Sequence, residues 1–546
     1  MTFLVEHGRG VSPQVLTERL QSMLQSGGPL LGSSVAGSDA LLSGHELRAP
    51  KETHSFAHLN EEVVAELNLA QHRRPSAEAF SLISVPLKSS DSGRGLMDLV
   101  TTINRAIAEG QWQIDLGEGV QLRACAPNWL ITPTPWVAGG GGPGSLPTPL
   151  RPGDLPTANN GQPGELPFQI KVRALGQMPP TQTSRPVEVI ILDTLPPERQ
   201  ISAAEQRWGA KHPLLCSLLS PGRLTRIAHD DPAWQIRLPK RHEVQVAGHD
   251  YVMSDHGLFV AGVIHSIAPQ ARLRLIEVLN AYGIGYVESI ARVLSQLAQE
   301  CIGDQTPPMV INCSLTIMAP LAGHWVPDPT RDDDLEDVTL FQAGRALAGR
   351  NPADLSAEEQ AILAQIDLLA LAFEWVCMAA RHQQILVVAA AGNDAQATGV
   401  RPQARCPAAF ATVVGVGALD KHDRWASYSN RADRQAQQGL ATFGGEVAPP
   451  PVRSQGRRIR PALAGESVLG VYIGDFPRMR PRRHNNVNGW AWWAGTSFAA
   501  PIVSGAVAYM VGAGLAANPV EAHRQLVAAN DGLTCDGDEI LQAKQG

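Results

Sequence analysis

Four short motifs carry residue types able to do nucleophilic chemistry. Ser497 stands in Ala494-Gly495-Thr496-Ser497-Phe498-Ala499-Ala500-Pro501. A serine hydroxyl is a weak nucleophile at neutral pH and needs a neighbouring base. His256, in His256-Gly257-Leu258-Phe259-Val260-Ala261-Gly262, is a side chain that takes up and releases protons near neutrality. Asp193 ends the apolar run Ile190-Ile191-Leu192 and is an acid that could orient a histidine. Asn393, in Ala389-Ala390-Ala391-Gly392-Asn393-Asp394, offers an amide to a developing oxyanion. Each motif also has a plain structural reading: an acid capping a strand end, a histidine at a helix start, an Asn-Gly turn, a helix N-cap. Gly-Thr-Ser-Phe-Ala-Ala-Pro is longer than capping requires.

The elements that must hold these residues alternate in type. Val187–Leu192 reads as an apolar strand of the kind a parallel sheet covers on both faces, and Arg272–Leu279, Met309–Cys313, Ile385–Ala390 and Thr412–Val416 repeat the style. Helical spacing fills the stretches between them, as in Val287–Glu300 and Ile366–Arg381. Strands alternating with helices predict an α/β fold, a doubly wound and mostly parallel sheet. Open sheets of that kind place their sites at the carboxyl ends of the strands, where Asp193 and Asn393 lie. Phe498–Ala517 is apolar over nearly a membrane-span length. Its Pro501, Ser504 and Tyr509, and its place directly after Ser497, make it a buried core helix.

Upstream, Phe80–Val85, a helix over Leu96–Ala108 and Val120–Ala124 predict a small α+β unit at residues 76–132. Residues 1–75 read as an extension with one amphipathic helix at Pro13–Gln25. Residues 133–186, with the Gly139–Gly142 run and recurrent prolines, read as a linker. The main domain is expected at 187–530, with a tail at 531–546.

The chain has 546 residues, 44% hydrophobic and 18% charged, which excludes wholesale disorder. Its 45 Lys and Arg against 52 Asp and Glu give a net charge of −7, so no general nucleic-acid footprint exists. Seven scattered cysteines without a Cys-x-x-Cys pair do not form a disulfide framework. With no basic region followed by an apolar stretch at the N-terminus, a cytoplasmic location is expected.

The order Asp193, His256, Asn393, Ser497, with the sequences around them, resembles the subtilase family of serine proteases. The resemblance spans roughly residues 186–530 and extends to Ile267-Ala268-Pro269 and Val310-Ile311-Asn312-Cys313-Ser314-Leu315. It implies that Ser497 is the nucleophile, His256 its base and Asp193 the residue orienting His256. Asn393 and the Ser497 N–H would form the oxyanion hole. It also implies that a polypeptide substrate binds as an added strand between Tyr282-Gly283-Ile284-Gly285 and Ser314-Leu315. Ala390 and Gly392 would line the primary specificity pocket. Asp394 follows at its rim, either as a partner for a basic side chain or as a solvated charge. Two positions depart from the family pattern: Leu195, two residues after the acid, and Thr316, after Ser-Leu, stand where glycine is usual.

No cofactor is needed for this chemistry. Structural calcium accords with the resemblance, and the acidic Asp328–Asp337 stretch lacks the pattern of a calcium loop, so the metal ligands are unknown. The basic stretch Arg453–His484 reads as a solvated face. Ala126-Pro127-Asn128-Trp129-Leu130 is similar to the end of fervidolysin-like prodomains, which implies a zymogen whose own prodomain is a partner, cut in the linker. The alternatives are a narrow-specificity processing protease activated by a partner and a silent binding protein that keeps the fold. An acyl hydrolase of the Gly-x-Ser-x-Gly type is disfavoured because Ser497 lacks that elbow.

Overall fold

A computed structural model of the chain describes residues 1–8, 10–25, 45–47, 52–57, 74–77, 79–85, 87–89, 93–108, 119–128, 130–132, 145–150, 170–176, 185–229, 245–246, 249–250, 252–300, 307–317, 355–395, 401, 403–432, 439–449, 460–476, 486–529, 534–535 and 538–545. The acidic stretch at 328–337 and Arg457, Arg458, Arg478, Arg480, Arg482 and Arg483 lie outside them, as does the Gly139–Gly142 run. The chain divides into two compact units. One comprises Met1–Leu130, Val287–Asp304 and Ala319–Gln383; the other comprises Ile131–Tyr286, Gln305–Met318 and Gln384–Gly546.

The first unit is built on a four-stranded antiparallel sheet in the order Glu52–Ala57, Ala79–Ser84, Thr2–His7, Val120–Ala126. Residues 1–75, read from sequence as an extension, supply two of its strands. Thr2–His7 is an interior strand, with Leu4 opposite Leu82 on one side and Ala124 on the other. Its Phe3, Leu4 and Val5 are fully buried, which fixes the register. Pro13–Gln25 is a helix, and its Leu16 and Leu20 are buried. The helix over Gly93–Ala108 buries Leu99, Val100 and Ile103 at the expected spacing. Asn104 ties that helix to the sheet by donating to the Cys125 carbonyl (2.9 Å) and accepting from its N–H (2.7 Å). Two helices that the sequence reading placed in the 187–530 domain, Val287–Glu300 and Ala357–His382, pack with this sheet. Trp375 of the second meets Phe80 edge-on with ring centroids 5.5 Å apart.

The second unit holds a nine-stranded sheet. Its order is Leu224–Ile227, Arg272–Leu279, Glu188–Thr194, Met309–Cys313, Leu386–Ala390, Val413–Leu419, Leu440–Phe443, Asp538–Leu541, Thr534–Cys535. The first eight strands pair in parallel and the last is antiparallel. This is the expected doubly wound α/β sheet, and its central strands Met309–Cys313, Leu386–Ala390 and Val413–Leu419 are buried throughout their lengths. Residues 531–546, expected as a tail, supply its far edge and a further strand, Ala543–Gln545, paired with Ile170–Val172.

The expected linker is also partly built in. Ser145, Leu150, Ile170 and Val172 are all buried, and Thr148 pairs with Trp492. Among the described residues of this stretch, Leu150, Ile170, Val172 and Ala174 belong to the main core, and Leu146 and Leu175 pack against it. Helix Thr496–Gly512 is apolar because it is enclosed; all its residues but Tyr509 are buried. It crosses helix His256–Ile267 closely at Gly505, where a Cβ would lie 3.1 Å from that of Ile267. Among the described residues no helix is long and apolar enough to cross a membrane.

Candidate active site

The predicted site residues collect at the carboxyl end of the parallel sheet. Asp193 is the penultimate residue of the Glu188–Thr194 strand. Ser314 follows the neighbouring Met309–Cys313 strand, and Asn393 follows Leu386–Ala390. His256 and Ser497 each lie in the first turn of a helix. Asp193, His256 and Ser497 are fully buried.

His256 Nδ1 lies 2.8 and 2.9 Å from the two carboxylate oxygens of Asp193. Donation from Nδ1–H to the carboxylate leaves Nε2 as the basic nitrogen. That nitrogen is buried and has no partner among the described residues. Asp193 also accepts from the Thr194 N–H at 2.7 Å. The imidazole is enclosed by aromatic rings: Trp493 stands edge-on at 5.4 Å and Phe498 lies at 5.3 Å. Phe498 follows Ser497 directly, so this contact joins the His256 and Ser497 helices at the imidazole.

Two residues unmarked in the sequence reading set the histidine. The Thr194 hydroxyl accepts from the Gly257 N–H (3.1 Å) and lies 3.0 and 3.1 Å from the Met253 and Ser254 carbonyls. Gly257 allows this approach, because a Cβ there would collide with the Thr194 carbonyl. Asp255, at the N-cap of the His256 helix, makes no capping bond. It accepts instead from the Gly474 N–H at 2.8 Å and from Gln200 Nε2 at 3.3 Å. Burial pushes its carboxyl up to about 7, against the opposing pull of the Gly474 and Ile473 N–H groups.

The Ser497 hydroxyl donates to the Ser314 carbonyl at 3.2 Å, and the Ser314 hydroxyl donates to the Ser497 carbonyl at 2.8 Å. Asn312 and Ser504 extend this into a buried chain that fastens the Ser497 helix to the sheet. Asn393 is oriented by Thr496, whose N–H and hydroxyl both donate to Asn393 Oδ1 at 3.0 Å. Its Nδ2 therefore faces away from Thr496. The Thr496 oxygen also receives the Gly392 N–H at 3.2 Å. Gly392 has φ +117°, and a Cβ there would meet Asn430 Nδ2 at 2.5 Å, so glycine is required. On the other flank, Ser145 Oγ donates to the Ala494 carbonyl (3.1 Å) and accepts its N–H (2.9 Å), three residues before Ser497.

The remaining predicted residues occupy the surrounding walls. Leu315 and Ala390 are fully buried. Gly283 sits at φ +75° in a turn held by the Asn280 side chain, which accepts from the Tyr282 and Ile284 N–H groups. Gly285 begins the short strand Gly285–Tyr286, pressed against the Val278 carbonyl and Ile131. A three-stranded sheet follows the order Gly285–Tyr286, Leu130–Thr132, Thr316–Ile317. In it, Thr132 lies opposite Thr316 and Ile131 opposite Ile317, antiparallel.

Among solved structures, the chain is similar to the prenylagaramide maturation protease PagA, with 19% identity, a TM-score of 0.34 and coverage of 63% of this chain and 84% of that one. The patellamide maturation protease PatA gives 20% identity, a TM-score of 0.33 and coverage of 64% and 87%. A lanthipeptide protease gives 18%, 0.36, and 66% and 84%. The family model described as Subtilase family matches residues 228–546, beginning after the strand that carries Asp193 and taking in His256, Asn393 and Ser497. That match covers more than half of the sequence, and the chain belongs to the subtilase family of serine peptidases.

Proposed function

We propose that the chain is a serine endopeptidase that works through an acyl-enzyme and is made as a zymogen. The observation that carries the peptidase reading is the Asp193–His256 hydrogen bond at 2.8 Å, beside Ser497 and an Asn393 amide fixed by Thr496. Rotation of the Ser497 side chain exchanges the Ser314 carbonyl for His256 Nε2. The hydroxyl proton passes to Nε2 as Oγ attacks the substrate carbonyl carbon. Asn393 Nδ2 and the Ser497 N–H, in the first turn of its helix, receive the negative oxygen. His256 then returns the proton to the leaving amine, and water repeats the sequence to release the acid. The aromatic enclosure of His256 excludes solvent and strengthens each of these interactions.

The zymogen reading rests on the three-stranded sheet beside Ser314. There Ile131–Thr132 fills the slot between Gly285–Tyr286 and Thr316–Ile317 that a substrate strand would take. Ile131 is fully buried in that slot. The four-stranded sheet of residues 2–126, upstream of it in sequence, serves as the prodomain.

The test is the intact mass of the purified chain beside its Ser497→Ala variant after incubation at neutral pH. The expected result is cleavage of the wild type between Thr132 and Ser145, with the variant left whole. Cleavage of both, or of neither, contradicts self-processing by Ser497.

A further inference from the structure

The wall that carries the oxyanion residue continues into an ion pair. Asp394, next to Asn393, is 6% exposed. Arg405 grips it with both arms of its guanidinium: Nε donates to Oδ2 and Nη2 to Oδ1, each at 2.8 Å. Asn430, itself fully buried, adds a third bond from Nδ2 to Asp394 Oδ2 at 2.7 Å and accepts the Asp394 N–H at 2.7 Å. Both carboxylate oxygens are thus taken by groups of the protein.

Arg405 is also placed between the two walls beside Ser497. Its N–H donates to the Ala391 carbonyl at 2.8 Å, and the next residue, Cys406, accepts from the Ile317 N–H at 2.8 Å. Residues 405–406 therefore bridge Ala390–Asp394 to Ser314–Ile317. In these three segments Asp394 is the only acid and Arg405 the only base. Thr316, on the second wall, carries a buried hydroxyl with no partner among the described residues.

We propose that Arg405 determines the specificity of the pocket that Ala390 and Gly392 are expected to line: by holding Asp394 in a closed, bidentate pair it withholds that acid from a basic side chain, so the pocket takes uncharged residues before the scissile bond and rejects Lys and Arg. Bidentate guanidinium–carboxylate pairs are geometrically specific, and a lysine side chain cannot displace one without leaving the buried guanidinium unpaired. The proposal rests on the peptidase reading given above, and its test separates the two.

The test uses diphenyl phosphonates carrying the side chains of Leu, Gln, Lys and Glu. Each forms a bond from Ser497 Oγ to phosphorus as phenol leaves, and intact mass gives the rate. The wild type should react with the Leu and Gln probes at least ~10-fold faster than with the Lys probe, the lower end of what a charged hydrogen bond supplies. Arg405→Met frees the carboxylate and should shift the Lys-to-Leu rate ratio by roughly 10- to 100-fold toward Lys. The double variant Asp394→Asn, Arg405→Met should return that ratio to the wild-type side, separating charge from volume. Should Arg405→Met not fold, Asp394→Asn reads the same pair from the other side, leaving a cation that favours the Glu probe. A wild type that prefers Lys, or ratios that do not move in these variants, overturns the role of Arg405. A chain that reacts with no probe even when Ile131→Asp is added to free the slot contradicts the peptidase reading itself.

Discussion

Replacing Thr496 by valine tests how the oxyanion amide is aimed. The side chain is fully buried, and valine matches its shape while removing the oxygen. Two hydrogen bonds disappear: the one from the hydroxyl to Asn393 Oδ1 at 3.0 Å, and the one from the Gly392 N–H at 3.2 Å. The backbone bond from Thr496 N–H to Asn393 Oδ1 remains. Asn393 thus keeps one of two restraints, and the Gly392 N–H loses its acceptor. A buried donor left without a partner costs about 1–3 kcal/mol, which sets the expected loss of stability. Removing an oxyanion donor outright costs roughly 10²–10³ in kcat. Loosening it should cost less, about 10-fold, and in kcat rather than KM, because the amide acts on charge that develops only in the transition state. Hydrolysis of a chromogenic peptide by Thr496→Val and Asn393→Ala, with chemical unfolding of both, measures these effects. A Thr496→Val enzyme with wild-type kcat, or with its loss confined to KM, would refute the aiming argument.

Three further outcomes are expected. Gly257→Ala should abolish most activity and cost about 1–3 kcal/mol of stability, since its Cβ would strike the Thr194 carbonyl and lie 3.0 Å from that of Asp193; activity and unfolding assays check this. Ile131→Asp should expel the strand from the slot, so that a Ser497→Ala chain carrying it binds a peptide that the single variant excludes, as read by fluorescence anisotropy. Asp255 and His212 should bend the pH profile of stability in opposite directions. The Asp255 carboxyl is raised to about 7 by burial, so its contribution is full below its unfolded value near 4 and is lost as the pH rises through 7. Burial lowers the His212 imidazole to about 4, so its contribution is present above 6.5 and is lost as the pH falls through 4. Thermal unfolding of Asp255→Asn should therefore show a gain over wild type at pH 8 that vanishes by pH 4.

The parts of the site legible in the sequence are those whose chemistry and local position coincide. Asp193 and Asn393 end apolar strands, and Ser497 opens an apolar helix, so strand and helix periodicity place them at one end of a parallel sheet. Thr194 and Thr496 adjoin these residues in sequence and Arg405 follows Asn393 by twelve positions, yet nothing local marks any of them as an aiming group. Their roles depend on partners the local pattern does not specify: Gly257 for Thr194, Asn393 for Thr496, Asp394 for Arg405. The sequence offers Asp394 as a partner for a basic side chain or as a solvated charge, and its pairing with Arg405 is neither.

The domain edges were less legible for a related reason. Composition reports the average of a stretch, whereas burial follows single residues. Gly and Pro dominate residues 133–186, yet Leu150, Ile170 and Val172 pack into the core of the second unit. Thr2–His7 pairs with strands more than 70 residues away, and nothing near it in sequence announces a sheet.

The central claim is that Ser497 is a nucleophile activated by His256. Its most direct measurement is the reaction of the chain with a small fluorophosphonate, mapped by peptide mass. The account predicts a single adduct on Ser497 in the wild type, none in Ser497→Ala, and a rate reduced by several powers of ten in His256→Ala. An adduct on another residue, or labelling of Ser497 that is indifferent to loss of His256, would contradict it.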